Sequence, residues 1–158
     1  MQVECPVCHM QVPPDHLALV YQRMQFAFCS EQCRERFQAT PHLYIGVPGQ
    51  KAAKQEGREV LKHRCLRLDE PLSPEQTQIL EDAVTTMMGV KQVVVEKDEV
   101  KITYDFLEAT EEQIERTLLE AGARLGSGWT ERLRRALVHY TEECEALNME
   151  VSNQSHHH

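Results

Sequence analysis

The chain has 158 residues, 27% charged and 41% hydrophobic, a globular composition sufficient for one ordinary domain or two small ones. Its 17 Lys and Arg against 25 Asp and Glu give a formal charge of -8. That balance argues against a nucleic-acid partner, because neutralising a phosphate backbone takes clustered Lys and Arg. The start, "MQVECPVCHM", has neither a basic n-region nor an apolar h-region, and no window approaches the roughly 18 apolar residues of a spanning helix. No membrane insertion is expected, and the cytoplasm is the expected compartment. In a reducing cytosol, six cysteines with C-x-x-C spacing among them suggest metal binding or thiol chemistry more than disulfides.

The first such pair is Cys5 and Cys8, enclosing "PV", the spacing that lets two thiolates on one tight turn reach a single ion. Twenty residues later come Cys29 and Cys33, one helical turn apart. Between the pairs, "HLALVYQRMQFAFC" predicts two short strands that reverse around "YQRMQ". "SEQCRERFQAT" predicts a helix with Ser30 as N-cap and Phe37 one turn past Cys33. Knuckle, hairpin and ligand-bearing helix make a treble-clef-like module with a tetrahedral four-sulfur site. His9 and Met10, beside the knuckle, are possible secondary contacts that would favour a soft ion such as Cu(I). Packing for Met10 and solvation for His9 are the plainer alternatives.

"CPVCHMQV…FAFCSEQCRERFQATPHLYI" resembles the YHS/TRASH class of small metal-binding domains found in heavy-metal trafficking, resistance and sensing proteins. The resemblance covers residues 4–45 and implies Cys8, Cys29 and Cys33 as core ligands. Cys5 stands where many members have Asp and supplies a fourth thiolate, favouring a closed site. The stretch corresponding to the Tyr-His-Ser signature reads Phe26-Ala27 and then Ser30, so no role for a Tyr or His carries over. Three uses of the cysteines stay open: a structural zinc staple, an exchangeable ion, and thiol catalysis, for which no partner base is specified.

Residues 47–58, within "VPGQKAAKQEGRE", read as a linker without apolar period. "VLKHRCLRL" has strand length, and residues 73–89 start a helix with Ser73 at N-cap, Pro74 at N1 and Gln76 at N3. Its apolar stripe is Ile79, Leu80, Ala83, Val84, Met87 and Met88. "VKQVVVE" and "EVKITYD" form a hairpin around Lys97 and Asp98, and residues 110–122 form a second helix capped by Thr110. "ARLG" is a candidate last strand. The order is that of a ferredoxin-like (βαββαβ) domain over residues 59–126. "MMGVKQVVVEKDEVKITYD…TEEQIERTLLEAG" resembles the heavy-metal-associated (HMA) domain, whose metal loop carries C-x-x-C; here that loop is "LDEPLSPEQ" and has no cysteine. Cys65 reads as a buried small hydrophobe.

Residues 127–151 predict an amphipathic helix with Leu133, Leu137, Tyr140, Cys144 and Leu147 on one stripe and Trp129 as anchor. The stripe either covers the sheet's open face or pairs two copies of the chain. His139 and Cys144 read as structural. Residues 152–158, ending "SHHH", are a native metal-binding tail or a tag remnant.

The expected architecture is therefore α+β: a treble-clef zinc module over residues 1–46, the ferredoxin-like domain and a C-terminal helix. The expected function is heavy-metal handling by a non-enzyme, with Zn(II) first and Cu(I) second, held by Cys5, Cys8, Cys29 and Cys33. A metal-transporting ATPase or an HMA-domain protein is the expected partner. The alternative is an interaction adaptor in which zinc is purely structural.

Overall fold

A computed structural model describes residues 1–155, with side chains through Ser152. His156, His157 and His158, the end of the tail, lie outside the described residues. The chain divides into two compact units. The first is residues 1–59 with the chain from Glu145 onward, and the second is Val60–Cys144.

In the first unit, β1 (Val3–Glu4) and β2 (Gln11–Val12) pair antiparallel around the Cys5–Cys8 turn. A second hairpin, β3 (Leu19–Tyr21) and β4 (Met24–Phe26), turns through Gln22 and Arg23, both left-handed at φ 51 and 66. Two successive positive φ angles match the right-handed twist of the paired strands. Helix α1 (Glu31–Ala39) follows, and Pro41–Leu43 forms a single 3-10 turn. The core gathers on Phe37, whose ring meets those of Phe26, Phe28, Tyr21 and Tyr44 at centroid distances of 4.9, 5.3, 5.8 and 6.3 Å.

Residues 47–58, expected to link domains, are folded onto this first unit. Ala52 and Ala53 are buried, Lys54 N donates to the Leu43 carbonyl at 2.9 Å, and Val47 bridges Gln50. The two alanines are small enough to pack where their charged neighbours stay in water, so the segment needs no apolar period to be held.

The second unit is a three-stranded antiparallel sheet ordered β5-β7-β6, with β5 Leu61–Arg67, β6 Val90–Glu96 and β7 Glu99–Asp105. Helices α2 (Pro74–Thr85) and α3 (Glu111–Glu120) carry complete capping boxes, Ser73 with Gln76 and Thr110 with Gln113. Leu66, Val100, Ile102 and Tyr104 of the strands pack against Leu80, Val84, Ile114 and Leu118 of the helices. Helix α2 is shorter than its apolar pattern suggested. It ends at Thr85, Ile79 is exposed, and Gly89 at φ +82 turns the chain where a Cβ would meet Glu108 at 2.7 Å. The expected fourth strand is reduced to one bridge, Leu68 to Leu125, flanked by Asp69 N to the Arg124 carbonyl and Gly126 N to the Arg67 carbonyl.

Strand alternation places Arg64 and Leu66 on the helix side and His63, Cys65 and Arg67 on the other. Cys65 is therefore exposed rather than a core hydrophobe, and His63 Nδ1 meets Thr103 Oγ1 at 2.9 Å.

Helix α4 (Trp129–Ser155) does not bury its apolar stripe on the sheet, the first of the two expected arrangements. Leu133, Leu137, Tyr140, Leu147 and Val151 are 44–67% exposed, and Trp129 is 76% exposed. The inward face is polar instead. Glu142, 2% exposed, accepts the backbone N of Glu111 at 2.8 Å, Arg64 Nη2 at 3.2 Å and the Tyr104 hydroxyl. One carboxylate thus caps the start of α3 and ties α4 to β5 and β7, and the negative charge suits the exposed N–H groups of a helix start. Burial raises the Glu111 carboxyl to about 8, with Glu115 adding to the effect.

Leu118 is fully buried in this core and its neighbour Leu119 is 54% exposed. Leu118→Ala should therefore cost about 2–5 kcal/mol by transfer and cavity terms. Leu119→Ala should stay within about 0.5 kcal/mol. Urea unfolding followed by far-UV circular dichroism checks both.

Candidate metal centre

The four N-terminal cysteines reach one point from three local structures. The knuckle brings Cys5 and Cys8 together. Cys5 N donates to the Met10 carbonyl at 2.9 Å, His9 N donates to the Cys5 carbonyl at 2.8 Å, and His9 takes the left-handed φ of 68 that closes the turn. Cys29 is placed by the preceding residue: His16 Nδ1 donates to the Phe28 carbonyl at 2.6 Å, and Phe28 N donates to the His16 carbonyl at 3.1 Å. Cys33 is fixed by α1, whose N-cap Ser30 accepts from the Cys33 backbone N at 3.4 Å. A helix start in the midst of the sulfurs presents N–H groups and a positive dipole end to developing thiolate charge.

Cys8 and Cys29 sulfurs are 3.2 Å apart, Cys29 and Cys33 sulfurs 3.4 Å, and all four lie within 4.8 Å of one another. All six cysteines are free thiols. A tetrahedral zinc with Zn–S near 2.3 Å separates its sulfurs by about 3.8 Å, so small adjustments admit one ion. Cys5 and Cys33 are buried, while Cys8 and Cys29 are partly exposed.

The thiols share protons unequally. Hydrogen bonding from Cys29 and Cys33 holds Cys5 far below the ordinary thiol range, and Cys33 lowers Cys29 to about 7. Cys8 and Cys33 are pushed up by their bonds to Cys29, with burial adding to both. A cation displaces the remaining protons, because a thiolate, not a thiol, is the ligand.

His9 is not among the residues whose ligand atoms converge with the four sulfurs. His9 Nδ1 is engaged by the Glu4 carboxylate, and Met10 is 47% exposed. In the second unit, the loop that would hold an HMA ion has Asp69 Oδ1 accepting from Ser127 N at 2.8 Å and Ser127 Oγ at 3.1 Å. Partial desolvation, with the Glu99 carboxylate adding to it, raises the Cys65 thiol from its ordinary value. One cluster escaped sequence reasoning: Glu111, Glu115 and His139 converge from two helices. The i,i+4 spacing of the glutamates was visible, but His139 lies 24 residues beyond Glu115 and carries no local signal.

Residues 3–47 match the YHS domain family. No curated protein matches the chain. Solved structures similar to part of it include the CopZ metallochaperone, with 16% identity over 41% of this chain and 100% of that one at a TM-score of 0.40. The CsoZ metallochaperone shares 20% identity over 42% of this chain and 99% of that one, also at 0.40. Oxidized MerP from Ralstonia metallidurans CH34 shares 14% identity over 42% and 96%, again at 0.40.

Cys29→Ser removes the sulfur nearest to two others and should release the bound metal and disorder the first unit. Cys65→Ser should leave metal content unchanged. Elemental analysis of the purified variants, with circular dichroism for the fold, checks this pair.

Proposed function

We propose that this chain is a heavy-metal-binding accessory protein whose Cys5, Cys8, Cys29 and Cys33 hold one soft or borderline ion, Zn(II) first and Cu(I) second. It would traffic, buffer or sense that ion in the cytoplasm without catalysing a reaction. The observation that carries this reading is the approach of four free thiols to within 4.8 Å inside a segment that matches the YHS domain family. Thiolates suit Zn(II) and Cu(I) over hard cations, and an S4 set is tetrahedral. The second unit keeps a ferredoxin-like sheet and helices without a cysteine in the loop, which suits docking more than carriage. Its partner would be a metal-transporting ATPase or an HMA-domain protein. Among the described residues no helix is long and apolar enough to cross a membrane.

The exchange behaviour of the ion tests the proposal. Purified without added metal, the protein should carry about one equivalent of zinc, and Cu(I) should displace it with the fold intact. Zinc that resists both a competing chelator and Cu(I) would instead favour the adaptor reading.

One specific observation supports that second reading. The exposed residues Leu133, Leu137, Tyr140, Leu147 and Val151, with Cys144, repeat at alternating spacings of four and three, the a/d pattern of a coiled-coil seam. A homodimer through α4 is the assembly we infer. Sedimentation equilibrium should give a dimer for the native chain and a monomer for Leu137→Glu; a monomeric native chain would refute the seam.

A further inference from the structure

The Glu111, Glu115 and His139 cluster lies in the second unit and is independent of the cysteines. Glu111 and Glu115 occupy the first turns of α3 on one face, and His139 faces them from α4. One ligand atom from each lies within 4.8 Å of the others. His139 Nε2 is 2.5 Å from Glu115 Oε2 and 3.9 Å from Glu111 Oε2. The two carboxylate side chains are only 4% and 8% exposed, and the imidazole is 29% exposed, leaving an approach from solvent.

An ion-pair network accounts for only part of this arrangement. Arg64 is taken by Glu142 at 3.2 Å, and Arg135 Nε lies 3.6 Å from Glu115 Oε1. The backbone N of Glu111 is bound by Glu142. Glu111 Oε2 is buried with no hydrogen-bond donor in reach, 3.9 Å from the imidazole, and the carboxyl's side-chain neighbour Glu115 can bond to it only through a shared proton. A buried, unpartnered carboxylate oxygen is costly, and it needs either a proton or a cation.

We propose that Glu111, Glu115 and His139 form a second metal site, which takes a borderline divalent first-row ion through two carboxylate oxygens and one imidazole nitrogen. Nitrogen and oxygen donors suit Zn(II), Co(II), Mn(II) or Fe(II) and not Cu(I), so the donor set differs in kind from the four sulfurs. Three protein ligands leave the remaining coordination to water, the arrangement of an open site.

Cobalt titration of the full chain, loaded first with one equivalent of zinc, reads the two sites separately. Cobalt on thiolates gives intense sulfur-to-metal charge transfer, while cobalt on two carboxylates and an imidazole gives only weak visible bands. The expected result is one further equivalent of Co(II) with the weak bands alone. Glu111→Gln and His139→Ala should each weaken that equivalent by more than about tenfold, with zinc content and circular dichroism unchanged. Glu111→Gln is close in shape and guards against loss of fold in His139→Ala. Either finding overturns the proposal: no further equivalent in the native chain, or an equivalent that both variants retain, which would assign it to the terminal histidines. Cobalt entering with charge-transfer bands would report exchange at the cysteines and count against a second site.

Discussion

Four sulfurs must meet at one point, and the first unit is arranged around that requirement. Each pair comes from a tight local structure, the knuckle for Cys5 and Cys8 and the start of α1 for Cys29 and Cys33. Ionised together, four thiolates repel one another, and protonated they bind nothing. A cation of charge two resolves both problems, and its binding energy adds to folding. Helix α1 then serves two ends, because Phe37 lies one turn past Cys33 and carries the aromatic core on the same face. An ion held as proposed and the aromatic core would thereby secure the same helix, which matters in a unit with so little surface to bury.

In the second unit, the corresponding constraint is the Glu142 carboxylate. Tyr104 and Arg64 point their polar ends to the edge of the core, and the first N–H of α3 has no partner within its own helix. Glu142 meets all three. Satisfying these groups fixes which face of α4 turns inward, and the hydrophobic stripe is left on the outside as a result. The polar cluster of Glu111, Glu115 and His139 follows from the same orientation. The exposed apolar stripe and the Glu111, Glu115 and His139 cluster are thus two consequences of one buried carboxylate.

Local signals in the sequence were read correctly wherever the physics is local. The capping box at Ser73, the cap at Thr110, the Lys97-Asp98 hairpin and the Cys5–Cys8 turn involve residues a few positions apart, and each formed as expected. Readings that depended on what packs from elsewhere fared less well. Residues 47–58 lack periodicity yet fold back through Ala52 and Ala53. Cys65 has the composition of a core position, but its strand phase sends it to the exposed face.

What the sequence determined by itself is the four-cysteine grouping and the order of elements, because ligand spacing, caps and turns are properties of short stretches. What only the tertiary structure decided is the facing of α4. An apolar stripe is covered either by its own domain or by a second copy, and hydrophobic periodicity alone does not choose between them. Here three polar groups on β5, β7 and α3 are met together by one carboxylate on the opposite side of that helix. Their convergence spans residues 64 to 142 and exists only once the sheet and α3 have formed.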